Sequence, residues 1–523
     1  MHSAFRGARV IAAVVAAAAL ASCGGGSDST VVAPGVLAQT CSPNHPYRGD
    51  ATAPITSGNI GTEKTWLRDY IDRKYLWWDT VPAVNPAAAI YSNDTPTGFY
   101  DSIDTYFLDL TRPLTNPPGK PVDKFSFTYP TAAWDALINS GSTVGYGIEW
   151  HFDSPTPPRN IRVSYVHPGS QADVAQIKRG DTLVLADNVA ADANTQADVA
   201  TLNAALFPAL SSQHSFRFSR SGVPAADYTL VAGNVTLKSV QSQILNVNGA
   251  RVGYLLFNDH VVTAEPDLIS AFASFGASPG ISDLVLDLRY NGGGYLYIAS
   301  EVAYMIAGAT RTANQVFEAT VFSNKRSGED SSSFFSSLAC VPDANFQCTR
   351  SDPLPTLNLP RVYVLVSGST CSASEAILNG LRGVNLDVRL IGSTTCGKPY
   401  GFFAQDNCGI TYFPIEFQGV NAKGFGGYAN GFIPGGTGTT DDNVPGCAAN
   451  DDLNHQLGDP AEGQLASALS YRNSVNSGNP ACLPLMAGNR ATPLSAQQSS
   501  AAPIGQVIKP PVLTNRNGRM PTR

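Results

Sequence analysis

The period of the hydrophobic positions changes along the chain. Between Glu63 and Leu110, Trp66, Leu67, Tyr70, Ile71 and Tyr75 recur at three- and four-residue spacing, which predicts helix, and Trp77 and Trp78 follow. From about residue 239 short apolar runs alternate with helical patterns. Arg251 to Phe257, Leu284 to Leu288, Arg361 to Val366 and Val388 to Ile391 read as strands. Pro266 to Phe275, Ile298 to Ile306 and Ser374 to Leu381 read as helices. That alternation predicts α/β layering. Between these regions Ile161 to Val166 reads as a further strand.

The chain ends of this pattern look different. After about residue 484 the sequence turns to Ala, Pro, Ser, Gln and Asn, which predicts a disordered tail over 484–523. Near the start, Arg6 and Arg9 precede an apolar stretch, Val10 to Ala21, too short for a membrane-spanning helix. It ends in Leu20-Ala21-Ser22-Cys23, then Gly24-Gly25-Gly26-Ser27. Leu-Ala-Ser-Cys resembles a bacterial lipobox, the alternative being an ordinary secretory signal. The resemblance implies a lipoprotein signal peptide over 1–22 and a lipid on Cys23. Gly24, rather than Asp, after the Cys implies sorting to the outer membrane, facing the periplasm or the cell surface. Residues 23–58 then read as a flexible linker and 59–137 as a small helical domain.

With 523 residues there is room for about three domains. Charged residues make up only 14% and the net charge is -7. No long basic run is present, which argues against nucleic acid as a partner. Nine cysteines leave eight once Cys23 is set aside. An even number in an exported chain predicts disulfides, and Cys340 with Cys348 would close a short loop. There is no Cys-x-x-Cys and the seven His are scattered, so neither a metal nor a cofactor is expected.

Gly145-Tyr146-Gly147-Ile148 is followed by the strand at Ile161 and then by Gly169-Ser170-Gln171-Ala172-Asp173, leading to Arg179-Gly180-Asp181. Over about 138–238 this resembles a PDZ domain of the bacterial protease type. The resemblance implies that Tyr146, Gly147 and Ile148 offer backbone N–H groups to a peptide carboxylate beside an added strand.

Three segments carry candidate chemistry. Arg361 to Val366 runs through a small-residue turn to Ser372-Ala373-Ser374-Glu375. A Ser at a strand-to-helix turn is exposed to the positive helix end, but Ser-x-x-Glu is also a capping box. Val388 to Ile391 leads to Thr395-Cys396-Gly397-Lys398, with Tyr400, Phe402 and Phe403 beyond. Apolar surroundings lower a Lys pKa and make it a candidate base, the alternative being a surface Lys. Leu284-Val285-Leu286-Asp287-Leu288-Arg289-Tyr290-Asn291-Gly292-Gly293-Gly294 ends in glycines whose N–H groups can approach a substrate closely, or form a plain flexible turn. His260, after the strand ending at Phe257, is the residue a Ser-His mechanism would need, but it reads rather as a turn residue at the strand end.

Together these segments resemble the S41 family of C-terminal processing (tail-specific) proteases, in the family's order and with Ser372 and Lys398 26 residues apart. The resemblance covers about 60–475. It implies an α/β fold: a crotonase-like protease core over 239–483, an upstream PDZ domain and a small N-terminal helical domain. It implies Ser372 as nucleophile, Lys398 as base, and Ala373 with Gly293 or Gly294 as oxyanion hole, supported by Glu375 and Thr395. Family members often place a Gln four residues after the Lys. Here Phe402 stands there, and Gln405 is the candidate substitute. Cys371 and Cys396 flank the pair, either bridged or as free thiols. The expected activity is endoproteolysis of exported or unfolded proteins whose C-termini bind the PDZ domain. The alternative is an inactive peptide- or lipid-binding protein on the same fold.

Overall fold

A computed structural model describes residues 37–484, except 113–114, 116–121, 155, 344–346, 350, 437 and 439, together with 515–517. The signal peptide over 1–22, Cys23 and most of the expected tail lie outside the described residues.

The central sheet follows from the apolar runs. Its strands are β1 (Val240–Val247), β2 (Ala250–Phe257), β3 (Asp283–Asp287), β5 (Arg361–Val366), β6 (Asp387–Gly392) and β8 (Gly446–Ala448). They lie in the order β1-β2-β3-β5-β6-β8, with β1 antiparallel to β2 and the rest parallel. Two short strands stand outside it, β4 (Gly293–Tyr295) and β7 (Tyr400–Gly401). Alternate residues face opposite layers. Leu255, Phe257, Leu284, Leu286, Val362 and Val364 pack with α4 (Ala264–Gly276), α5 (Leu296–Ala307) and α6 (Ala373–Gly383). Tyr254, Leu256, Val285, Tyr363 and Leu365 pack with α7 (Gly463–Asn476) on the other face. Strands apolar on both faces are what a covered parallel sheet requires.

Residues 148–231 form a second sheet, Ile148–His151, Arg162–Val166, Thr182–Ala186, Gln213–Arg220 and Val223–Val231, around a core of their own. Ile148–His151 is an edge strand of it among the described residues.

The N-terminal helices α1 (Ile60–Lys74) and α2 (Phe99–Thr111) form, with α3 (Thr131–Ser140) after them. Asn59 caps α1 by accepting from Thr62 N–H at 3.1 Å. The expectation of a separate helical domain needs correction. Tyr70, Phe107 and Ile103 share a core with Cys371, Ile410, Tyr412 and Ile415, and the strand Phe127–Pro130 pairs with Ile410–Phe413. The linker also ends earlier than expected. Residues 37–58 are fastened by the Cys41–Cys408 disulfide and by Ser42 N–H donating to Glu63 at 2.8 Å. In the expected tail, Asn515–Asn517 forms a strand, β9, beside β4.

Candidate active site

Three turns converge beyond the carboxyl ends of β3, β5 and β6. Ser372 begins α6 with φ 62° and ψ -115°, a conformation rare for a residue with a side chain. The turn persists because its neighbours hold it. Cys371 N–H and the Ser374 hydroxyl both donate to the Asn291 C=O, at 3.1 and 3.0 Å. Ser372 is fully buried, and its hydroxyl oxygen has no hydrogen-bond partner of good geometry among the described residues. Ser372 and Glu375 take up the capping-box arrangement as well, with Ser372 N–H donating to Glu375 Oε2 at 3.0 Å.

Glu375 joins this turn to the one that bears Lys398. Its Oε2 accepts from Ser372 N–H at 3.0 Å and from Lys398 N–H at 2.8 Å. Its Oε1 accepts from Gly397 N–H at 2.9 Å and from the Thr395 hydroxyl at 2.5 Å. One carboxylate thus holds the backbone of both candidate residues. Burial raises its pKa against these hydrogen bonds. A covalent link runs beside it, the Cys371–Cys396 disulfide. Besides Cys41–Cys408, the described residues also hold the disulfides Cys340–Cys348, as the spacing suggested, and Cys447–Cys482.

Lys398 is fully buried, with Nζ 5.3 Å from the Phe125 ring centroid and 5.0 Å from that of Phe402. Burial lowers its pKa from 10.5 to about 7, opposed by the negative charges of Asp123 and Glu375. Phe402, at the position where a Gln was expected, is thus an apolar wall, packed on Phe127, Trp134 and Phe413. Gln405 is exposed and donates to the Asp406 C=O, away from that role. Asp123 was missed by sequence reasoning. It is buried and accepts from Phe125 N–H, Ser126 N–H and the Tyr75 hydroxyl. Nothing local distinguishes it from a surface Asp.

The glycine turn is equally constrained. Gly293 and Gly294 have φ of 106° and 137°, and a Cβ on Gly294 would lie 2.4 Å from the His260 carbonyl oxygen. Gly293 N–H donates to Asn291 Oδ1 at 2.9 Å, so it is committed within the turn. His260 is buried, with Nδ1 3.0 Å from Asn291 Oδ1, and desolvation lowers its pKa to about 3. It braces Asn291 as a neutral ring.

Tyr146, Gly147 and Ile148 sit away from this cluster, at the start of the second sheet's edge strand. The Gly147 C=O accepts from His167 N–H at 2.9 Å and the Tyr146 C=O from Ala172 N–H at 3.0 Å.

The site segments are those that known proteins share. Residues 251–402 match the model of peptidase family S41. A carboxyl-terminal-processing protease from Picosynechococcus sp. is 25% identical over 270 residues, 50% of this chain and 56% of that protein, so the match spans little more than half the length of the relative. A crystal structure of a candidate S41 protease from Bacteroides fragilis superposes with a TM-score of 0.54 at 23% identity, over 79% of this chain and 97% of that one, a likeness of fold. The turns that bear Ser372 and Lys398 therefore lie within the residues that match peptidase family S41, in the half of the chain that is similar to a carboxyl-terminal-processing protease.

Proposed function

We propose that this chain is a serine endopeptidase in which Ser372 is the nucleophile and Lys398 the general base. The observation that carries this reading is the Lys398 amine, buried between Phe125 and Phe402, with a pKa near 7 on a turn tied to Ser372 through Glu375. The neutral amine takes the Ser372 hydroxyl proton as the oxygen attacks a peptide carbonyl. Ala373 N–H and Gly294 N–H receive the developing oxyanion. The ammonium then protonates the leaving amine, and water releases the acyl group by the same route.

The substrates are exported or unfolded proteins, with residues 138–238 acting as a PDZ domain on their C-termini. The free edge of Ile148–His151 supports strand addition there, and Trp150 Nε1 donating to the Leu206 C=O at 3.2 Å fastens the neighbouring helix, Gln196–Leu206, to that edge strand. Export with a lipid on Cys23, toward the outer membrane, completes the proposal. Four disulfides support an oxidising compartment.

The test is turnover of an unfolded protein by the purified chain. Loss of the base costs about 10²–10⁴ in rate. Ser372→Ala and Lys398→Ala are expected to lose turnover. Equal rates in all three proteins would point instead to a peptide-binding protein on this fold.

A further inference from the structure

Strand β4 has two edges, and both are engaged. On one, His260 N–H donates to the Gly293 C=O at 3.0 Å, and Tyr295 N–H donates to the His260 C=O at 2.9 Å. Because strand groups alternate in direction, the Gly294 N–H and C=O turn to the opposite edge. That edge faces β9, which runs parallel with Gly293 beside Asn515, Gly294 beside Arg516 and Tyr295 beside Asn517. In this register the Asn515 C=O accepts from Gly294 N–H, and Asn517 N–H donates to the Gly294 C=O. β9 also comes within 8 Å, Cα to Cα, of β7, just beyond Lys398.

We infer that the segment around Asn515–Asn517 is an intramolecular occupant of the peptide-docking edge beside the nucleophile, and that it competes with substrate there. This rests on reading β4 as the substrate edge of a serine peptidase. Asn515 presents its carbonyl to the N–H that the catalytic proposal reserves for a substrate's oxyanion, so both cannot be bound together. The run Thr514-Asn515-Arg516-Asn517-Gly518 has no large apolar side chain. Main-chain pairing is then the main attachment, which is weak and reversible. Attachment in one chain offsets that weakness, since a covalent link supplies an effective concentration of about millimolar order. A dilute unfolded protein displaces the segment only when a second contact, such as the edge strand Ile148–His151, concentrates it locally.

Three proteins test the inference: the full chain, its Asn517→Pro variant, which lacks the N–H donated to Gly294, and a chain ending at Pro484. Initial rates on an unfolded protein and rates of Ser372 labelling by a fluorophosphonate are measured. Both altered chains are expected to exceed the full chain severalfold. A synthetic peptide of residues 511–520, added at about millimolar concentration, is expected to slow the shortened chain again. Unchanged rates in both altered chains would overturn the inference while leaving the peptidase reading intact. Binding of the fluorescein-labelled peptide to the shortened Ser372→Ala chain separates the two readings. If no form turns over or is labelled, the peptidase reading falls, and bound peptide still supports the seating. Absence of binding overturns it.

Discussion

Lys398 shows how a residue type that is usually solvated and charged can be held in an apolar, buried place. Its unfolded pKa of 10.5 falls to about 7 in the folded chain because both aromatic walls exclude water. Activity is therefore expected to rise with pH through about 7, as the amine loses its proton. Stability carries the same sign. Between about 7 and 10.5 the unfolded chain holds the proton more tightly, so stability rises with pH across that window and is lowest below it. Lys398→Met removes this dependence. Its Tm is expected to exceed that of the parent chain most clearly below pH 7, with the gap closing near pH 10.5. A constant gap, read by calorimetry across that range, would contradict a neutral buried amine. The turns that bear Ser372 and Lys398 were legible in the sequence because each follows a recognisable strand. Asp123 and the role of Phe402 were not, since their contacts join residues far apart in sequence, such as Phe402 with Phe127 and Trp134.

At the scale of elements, the strands were legible because burial on both faces leaves unbroken apolar runs, as in β3 and β5. β9 was not, because a short polar run carries no apolar pattern from which a strand can be read. The turns matter more than the strands for chemistry, and Glu375 sets their spacing. Glu375→Gln replaces one accepting oxygen by an NH₂ group facing N–H donors. The expected cost is about 1–3 kcal/mol of stability from unsatisfied buried groups. As a positioning change it is expected to lower kcat more than it alters KM, whereas a purely structural role predicts loss of folded protein with normal kinetics in what remains. Steady-state kinetics beside chemical denaturation distinguishes the two.

Across the whole molecule, an ion-pair network joins the second sheet to the central one. Arg179, of the Arg-Gly-Asp run, bonds Asp451 at 2.6 Å, and Arg289 bonds Asp451, Glu462 and Asp287 at 2.9, 2.7 and 2.9 Å. Tyr290 bonds both Arg179 and Asp451, one residue before Asn291. The arginines hold the Asp451 carboxyl well below the usual carboxylate range. Removing one partner of a buried pair costs about 3–5 kcal/mol, because the other charge is left uncompensated. Arg179→Met is expected to lose stability on that scale, measured by urea unfolding. A change within about 0.5 kcal/mol, ordinary for surface sites, would mean that solvent already relieves Asp451.

The Cys371–Cys396 bond also gives the Ser372 turn a history. It joins the turn before Ser372 to the turn before Lys398, across a sequence separation of 25 residues. Closing such a loop removes on the order of 3 kcal/mol of chain entropy from the unfolded state. The bond forms only once two thiols have given up electrons to an acceptor outside the chain. The covalent brace between the Ser372 turn and the Lys398 turn thereby depends on the redox surroundings of the chain as well as on its sequence.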